Sequence, residues 1–398
     1  MKSKGILIFV VVLVVSIMLS ACAAPTTAVE EKEPILIGGA LSLMGIQAPL
    51  DEPGLRGAVL AVEELNRTGG ILGRPVEFIN LDGKSDPVTV GNVTVQLIEQ
   101  QGAVAMVAPC DFDFGGPASR ESQSAGLVGI STCASSPLYG SEALGDKQFT
   151  LSMWNTTMGA AAAEYAYNEK GWRSVYVVTD SFIDYTTSLS EYFIKAFQDL
   201  SGDVFFEDTY TQGDQDFSAQ LARIQALDEM PEFLYISSYM PDMGLIIRTI
   251  REAGIDLPIM GGDSYDDPGL FEAVGPEYGN DIIFVTHSWL GEGASPDAEH
   301  FLELYEAKHG EPPDTAFVVT GWDTIMVLAE AMEICGSTDG AAMAKVMEET
   351  TFDLLTGKLS WSDAESGHAP DKEAFIVELI DAIPHFIGRV LPKSVPAP

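Results

Sequence analysis

Residues 103–131, AVAMVAPCDFDFGGPASRESQSAGLVGIS, contain one complete unit of the predicted fold. The apolar run at 103–108 predicts a buried strand, residues 117–125 predict a helix, and the apolar run at 127–131 predicts the next strand. Two strands joined by a helix favour parallel pairing, because a parallel connection must cross back along the sheet. The unit therefore indicates an α/β protein.

The same alternation of strands and helices extends along most of the chain. It runs through residues 35–131, and a second series of the same kind runs from 155 to 286. A chain of 398 residues can hold two such units, since single cores rarely exceed about 250 to 300 residues. The prediction is an α/β fold with two doubly wound parallel-sheet lobes. After residue 286 the pattern predicts helices at 297–309, 321–335 and 340–349 and strands at 357–361 and 373–380.

The beginning of the chain has the pattern of a bacterial export signal. Lys2 and Lys4 precede an apolar run at 6–15, and Leu-Ser-Ala-Cys follows at 19–22. This tetrapeptide resembles the lipobox, whose cysteine becomes the lipid-bearing first residue of the mature protein. The apolar run is shorter than the about 20 residues that span a membrane, although an uncleaved anchor helix is the alternative. The sequence predicts an exported protein, anchored to the cell membrane or periplasmic, with a lipoprotein signal peptide at 1–21, lipidation at Cys22 and a linker at 22–33.

The chain is strongly acidic. It has 21 Lys and Arg against 59 Asp and Glu, and removal of residues 1–21 moves the formal charge from −38 to −40. Such a surface argues against nucleic acid and anionic lipid as partners, because both bind basic patches. The five histidines show no metal-ligand spacing, so no metal site is predicted.

Three cysteines remain once Cys22 is assigned to the lipid. They allow at most one disulfide within the chain. Cys110 and Cys133 each follow a strand-like run, so a bridge between them and a pair of free buried thiols are both compatible with the pattern.

The sequence lacks the motifs of common enzymes. It contains no phosphate-binding loop, no His-Glu-x-x-His, no nucleophile elbow and no dinucleotide-binding glycine motif. Asp111 and Asp113 at a strand end could do acid–base work, but nothing fixes their separation across a scissile bond. A hydrolase with paired acids is therefore the weakest of the readings. We expect a protein that is not an enzyme and that needs no cofactor.

In open parallel sheets, ligands bind outside the carboxyl ends of the strands. The hydroxyls and backbone N–H groups at 131–137 could bind a ligand there or start a capped helix. Tyr185 and Tyr239 could stack on a ligand or pack between the lobes. Asp263 suits an ammonium group, and the alternative is an N-cap for a helix at 268.

Several gapped motifs give the chain a family resemblance. LNRTGGILGRP at 65–75 resembles the INxxGGxxGxP segment of the periplasmic binding proteins for branched-chain amino acids, the leucine/isoleucine/valine-binding family. DQDFSAQL at 214–221 resembles its xxDFSxxL, and YMPDMG at 239–244 with Arg248 and 252–254 resembles its YxPEMGxxxRQAxxAG.

The resemblance implies a type I periplasmic binding protein, a monomer of two lobes joined by a three-crossing hinge. It would capture a small amine- or amide-bearing, amino-acid-like ligand between the lobes and deliver it to the permease of an ABC transporter. A ligand sensor that signals to a membrane partner is the alternative. The implied lobe 1 spans 34–150 and 286–353, and the implied lobe 2 spans 151–285 and 354–392.

The resemblance also implies a set of ligand contacts. The family's carboxylate-binding turn matches 132–135, with backbone groups of Cys133 and the hydroxyl of Ser135. Its two aromatic positions match Tyr185 and Tyr239, and the acid that receives the ligand ammonium matches Asp263.

The chain departs from the family in the loop after the third strand. A serine-rich loop is replaced by Asp111-Phe112-Asp113-Phe114, and we expect Asp111 and Phe112 to contact the ligand. The family's usual partner for Cys110 is replaced by Ser85, so Cys110 would pair with Cys133 or stay free. If Asp111 faces the cleft, the ligand is more cationic or more amide-like than leucine, because a carboxylate would be repelled.

Overall fold

The computed structural model describes residues 32–291 and 293–398. The predicted signal peptide at 1–21, the lipid site at Cys22 and most of the linker at 22–33 lie outside the described residues. Across the part that is described, none of the helices has the length and apolar character needed to cross a membrane.

Within the described residues, the first lobe is built on a parallel sheet of five strands. Its strands are β1 (Ile35–Gly39), β2 (Val76–Asn80), β3 (Ala105–Ala108), β4 (Val128–Ser131) and β5 (Gln148–Thr150). They lie in the order β2-β1-β3-β4-β5. Because β1, β3 and β4 are buried along their whole length, they read as continuous apolar runs in the sequence. The helices of this part are α1 (Ala48–Thr68), α2 (Pro87–Gln96), α3 (Phe112–Ser124) and α4 (Ser141–Leu144).

The second lobe repeats this strand order. Its parallel strands are β6 (Ser174–Asp180), β7 (Asp203–Tyr210), β8 (Phe233–Ser237), β9 (Ile259–Gly261) and β10 (Ile282–Thr286). They lie in the order β7-β6-β8-β9-β10, and two antiparallel strands extend the sheet beyond β10. These are β14 (Ala374–Ile380) and β15 (Ile383–Val390). The helices are α5 (Asn155–Glu164), α6 (Asp184–Asp199), α7 (Ser218–Gln225), α8 (Asp242–Glu252) and α9 (Pro268–Tyr278).

After β10 the chain returns to the first lobe. It forms α10 (Pro296–His309), α11 (Phe317–Cys335), α12 (Gly340–Glu349) and a small sheet of β11 (Phe352–Leu354), β12 (Gly357–Trp361) and β13 (Pro370–Lys372). Helix α11 crosses α1 backbone to backbone, because a Cβ atom on Gly57 would clash with the carbonyl of Val318. This contact joins the returning helices to the first core.

The predicted fold class is confirmed: two doubly wound sheets are joined by three links in the described chain. The links follow β5, β10 and β13. The lobe boundaries at 150, 285 and 353 stay predictions. Leu359 and Trp361 on β12 pack into the core of the first lobe.

A buried lysine connects two of these links. Lys372 is 2% exposed, and its Nζ donates to the carbonyl oxygen of Leu151 at 3.0 Å and to Thr356 Oγ1 at 2.6 Å. Asp323 accepts the backbone N–H of Thr356 at 2.8 Å from the side of α11. Burial lowers the pKa of Lys372 to about 7, although the charge of Asp323 opposes the shift.

Helix α3 differs from its predicted bounds. It begins at Phe112 rather than at 117, so Pro117 lies inside the helix. Inside this helix Gly115 serves close packing, because an added Cβ there would press on the Pro109 carbonyl and the Tyr139 ring.

Candidate functional site

Asp111 lies at the end of the first-lobe strand β3 and turns its side chain into the cleft between the lobes. Gln47 Nε2 donates to its Oδ2 at 2.6 Å. Tyr239, two residues after β8 of the second lobe, donates its hydroxyl to both carboxylate oxygens, at 3.0 and 2.9 Å. The backbone of Asp111 has φ 62°, which a non-glycine residue adopts only when its surroundings hold it. Asp111 therefore bonds across the cleft.

The ionisation of Asp111 is shifted by its surroundings. Burial raises the pKa of Asp111 to about 7. The hydrogen bonds from Gln47 and Tyr239 oppose this rise, whereas the negative charges of Asp263 and Asp113 add to it. This carboxyl group therefore gains and loses its proton in the neutral pH range.

A second carboxyl group lies directly behind it. Asp51 accepts the backbone N–H groups of Ser42 and Cys110, each at 2.8 Å. Burial nevertheless raises the pKa of Asp51 to about 8, and the charge of Asp111 contributes to the shift. Asp51 is therefore mostly protonated at neutral pH, and it holds the backbone of Cys110 behind Asp111 rather than supplying charge.

Asp263 faces the site from the second lobe. It begins a short 3-10 helix, Asp263–Tyr265, directly after β9, and it is buried. Its Oδ2 lies 2.7 Å from Nε2 of His287, which is fully buried. The helix α9 is capped by Asp267, which accepts the N–H of Gly269, so Asp263 is not that cap.

His287 was missed in the sequence, and a signal for it was present. It directly follows β10, a fully buried strand, and so occupies the same kind of strand-end position as the predicted residues. Its ring packs edge-on against Phe317, with centroids 5.6 Å apart.

The two predicted tyrosines lie side by side. The rings of Tyr185 and Tyr239 have centroids 5.1 Å apart at an interplanar angle of 49°. Tyr185 donates its hydroxyl to Ser264 Oγ at 3.2 Å. Burial raises the pKa of both tyrosines well above the usual value, so both hydroxyls remain donors.

The predicted carboxylate-binding turn uses its N–H groups internally. The backbone N–H groups of Cys133 and Ala134 both donate to Ser131 Oγ, at 3.3 and 3.0 Å. Cys133 forms a disulfide with Cys110. Ser135 lies in the same turn, and its carbonyl accepts the N–H of Asn155 at 2.6 Å.

The structure does not bring Phe112 into this group. Phe112 packs with a small separate apolar cluster that includes Val90, and its ring lies under the guanidinium of Arg120. Phe114 takes the cleft position and joins the apolar cluster that contains Tyr185 and Tyr239. The early start of helix α3 explains the exchange, because residues two apart on a helix point to different faces.

A cavity of about 1020 Å³ lies outside these residues, between the two lobes. The first lobe contributes Ile46 and Phe114, and the second contributes Phe182, Ile183 and Leu245. Near it, Asp113 of the first lobe accepts the backbone N–H of Asp184 of the second at 3.0 Å. The two lobes thus contact each other at the inner site and at its mouth.

Several buried polar atoms at the inner site have no hydrogen-bond partner in the described structure. They are Gln47 Oε1, Ser135 Oγ, Asn155 Oδ1 and His287 Nδ1. Buried polar atoms are normally paired, so these four are candidate contacts for a ligand or for an ordered water. No group of three or more His, Cys, Asp or Glu residues suited to a metal ion occurs in the described chain.

Known proteins are similar to this chain in sequence and in architecture. The Periplasmic binding protein family matches residues 34–382. An amino acid binding protein of Pseudomonas aeruginosa is 25% identical over 328 residues, which cover 82% of this chain and 86% of that protein. A leucine binding protein from Thermotoga maritima has a TM-score of 0.81 and 27% identity, covering 90% of this chain and 99% of its own.

A further solved relative carries a ligand. The branched-chain amino acid transporter substrate binding protein of Streptococcus pneumoniae, in complex with isoleucine, has a TM-score of 0.81 and 26% identity. The match covers 90% of this chain and 100% of that chain. These similarities extend over both lobes.

Proposed function

The chain belongs to the periplasmic binding protein family, and on that premise we propose that it is the solute-binding protein of an ABC importer. It captures a small amine- or amide-bearing, amino-acid-like ligand between its lobes outside the cytoplasm and delivers it to the permease. Family membership confirms the expectation that the chain is a binding protein and not an enzyme.

One observation carries the choice of ligand. Two buried carboxylates, Asp111 and Asp263, face the cleft from different lobes. Buried charges need partners, and a ligand with N–H groups supplies one that bridges both lobes when they close. Leu50 and Phe317 of the first lobe belong to the same buried apolar cluster as the tyrosine pair of the second, so apolar side chains adjoin the carboxylates.

Calorimetric titration against a panel of amino acids, amines and amides tests this function. At least one panel member should bind the wild type, and the variant Asp263→Ala should bind it roughly thirtyfold more weakly or worse, because truncating one partner of a buried charge pair costs about 2 kcal/mol or more. Asp228→Ala, an exposed acid outside the cleft, is the matched control. Equal affinity of wild type and Asp263→Ala would contradict the role of Asp263, and a panel without any binder would contradict the function.

The membrane anchor is the second part of the proposal. Lipidation at Cys22 would hold the mature protein at the membrane through a single modified residue. Cell fractionation of wild type and Cys22→Ser tests it: the wild type should be membrane-bound and the variant released. A variant that stays in the membrane fraction would favour an uncleaved anchor helix instead.

A further inference from the structure

The polar atoms of the inner cleft are mainly hydrogen-bond acceptors. The carboxylates of Asp111 and Asp263 lie on opposite lobes. Because an ionised carboxylate only accepts, Gln47 must direct its amide nitrogen at Asp111, and its Oε1 remains unpaired. Asn155 Oδ1 is a further unpaired acceptor, and its amide nitrogen donates to the carbonyl oxygen of Tyr185 at 3.0 Å.

The imidazole of His287 adds a further acceptor to the site. When His287 donates Nε2–H to the carboxylate of Asp263, its buried and unpaired Nδ1 carries a lone pair. The site therefore offers a ligand many acceptors around the Asp263 side of the cleft.

Most donors of the same site are already used, and the hydroxyl of Ser135 is the one in the 132–135 turn that has no partner within the described residues. The N–H groups of Cys133 and Ala134 are both directed at Ser131 Oγ. The hydroxyl of Tyr239 is bonded to Asp111, and that of Tyr185 is bonded to Ser264. Apart from the Ser135 hydroxyl, a ligand carboxylate would thus have to compete for N–H and O–H groups that have partners.

Lys84 lines the outer cavity, so the described residues place a positive side chain at the mouth of the cleft. At the inner site, no lysine or arginine of the described residues forms an ion pair with Asp51, Asp111 or Asp263, and Asp263 has His287 as its side-chain partner. A ligand carboxylate near Asp111 would meet a like charge in a buried setting.

We propose that the ligand is a small primary amine with an apolar body and without a carboxylate, so that the protein selects an amine over the amino acid of the same side chain. The inference rests on the proposed function, because it specifies the ligand class of the same cleft. The ammonium group lies between the acceptors of Asp111 and Asp263, and the apolar body contacts Leu50, Phe317 and the tyrosine pair.

Titration of the wild type with two matched sets of probes tests this. The first set is isopentylamine, leucine and 4-methylpentanoate, and the second is phenethylamine, phenylalanine and 3-phenylpropanoate. In at least one set the amine should bind tenfold or more tightly than the amino acid, and the acid should not bind. An amino acid that binds as tightly as its amine overturns the inference but leaves the proposed function intact, whereas absence of binding by all six probes and by the amide panel overturns both.

A variant of Asp111 tests whether this residue causes the preference for the amine over the amino acid. Asp111→Asn keeps the size of the side chain but removes its charge, so the ratio of amine to amino-acid affinity should fall at least tenfold. Asp228→Asn removes an equal charge from the exposed surface and should leave the ratio unchanged. An unchanged ratio in a folded Asp111→Asn protein overturns the inference, and the wild-type ratio alone decides it if that variant does not fold.

Discussion

Replacement of Tyr239 by phenylalanine should favour the open arrangement of the lobes. The Tyr239 hydroxyl of the second lobe lies 3.0 and 2.9 Å from the two oxygens of Asp111 in the first lobe, so this bond exists only when the lobes are together. A hydrogen bond to a charged group contributes about 1.5 to 3 kcal/mol, which corresponds to roughly a 10- to 150-fold change in the ratio of closed to open molecules. The effect should be large at pH 8.5, where Asp111 is ionised, and smaller at pH 5.5, because burial raises the pKa of Asp111 to about 7.

Small-angle X-ray scattering of the ligand-free protein measures this change as a larger radius of gyration. Tyr176→Phe is the matched control, because its hydroxyl donates to Asp208 at 2.6 Å within the second lobe and does not bridge the cleft. Tyr239→Phe should expand the molecule at pH 8.5, whereas Tyr176→Phe should not. Equal radii for the wild type and Tyr239→Phe at both pH values would refute the reasoning.

Three further outcomes follow from the charges and the crosslink. The affinity for a cationic amine should rise with pH through about 7, where Asp111 loses its proton. Well below pH 7 the affinity should fall about tenfold for each pH unit. A calorimetric affinity that is constant from pH 5 to 8 would exclude ionised Asp111 as the partner. The wild type should become more stable relative to Lys372→Met between pH 7 and 9, measured as the difference between their melting temperatures. The reason is that unfolded lysine keeps its proton up to about 10.5, whereas folded Lys372, facing Asp323, releases it near 7. A difference that stays constant with pH would contradict this shift. The double variant Cys110→Ser, Cys133→Ser should lose about 3 kcal/mol of unfolding free energy in urea, because the disulfide closes a loop with a sequence separation of 23. Equal urea midpoints for the wild type and the double variant would show that the bond is not formed.

The parallel sheets could be predicted because their strands are buried on both faces. β3, β4, β8 and β10 are buried throughout and mostly apolar, so each appears as a short hydrophobic run between helical patterns. Strands outside this pattern were missed. β13 consists of Pro-Asp-Lys, and β15 alternates between exposed and half-buried residues at the end of a sheet. Their positions depend on tertiary pairing rather than on local apolar content.

The candidate site could be predicted only in part. Asp111, Tyr185, Tyr239 and Asp263 follow strands, and the structure brings them together. Which of Phe112 and Phe114 faces the cleft depends on where helix α3 begins. A single sequence does not distinguish a glycine that serves packing from one that starts a helix. The partner of Asp263 required knowledge of which strand lies beside β9.

The strand that lies beside β9 is β10, a pairing that the sequence did not reveal. It places His287 next to Asp263 although they are 24 residues apart in the chain. Gln47 reaches Asp111 over a separation of 64 residues for the same reason, because β1 and β3 are neighbours in the sheet. Long-range pairs of this kind are set by sheet order and not by local sequence.

The central claim is that an amine binds between Asp111 of one lobe and Asp263 of the other. A crystal structure of the complex with the tightest-binding probe tests it most directly, through the distances from the ligand nitrogen to the two carboxylates. The account predicts the nitrogen within hydrogen-bond distance of both, with no ligand carboxylate at Ser135. A ligand carboxylate bound at the 132–135 turn, with its nitrogen away from Asp263, would contradict it.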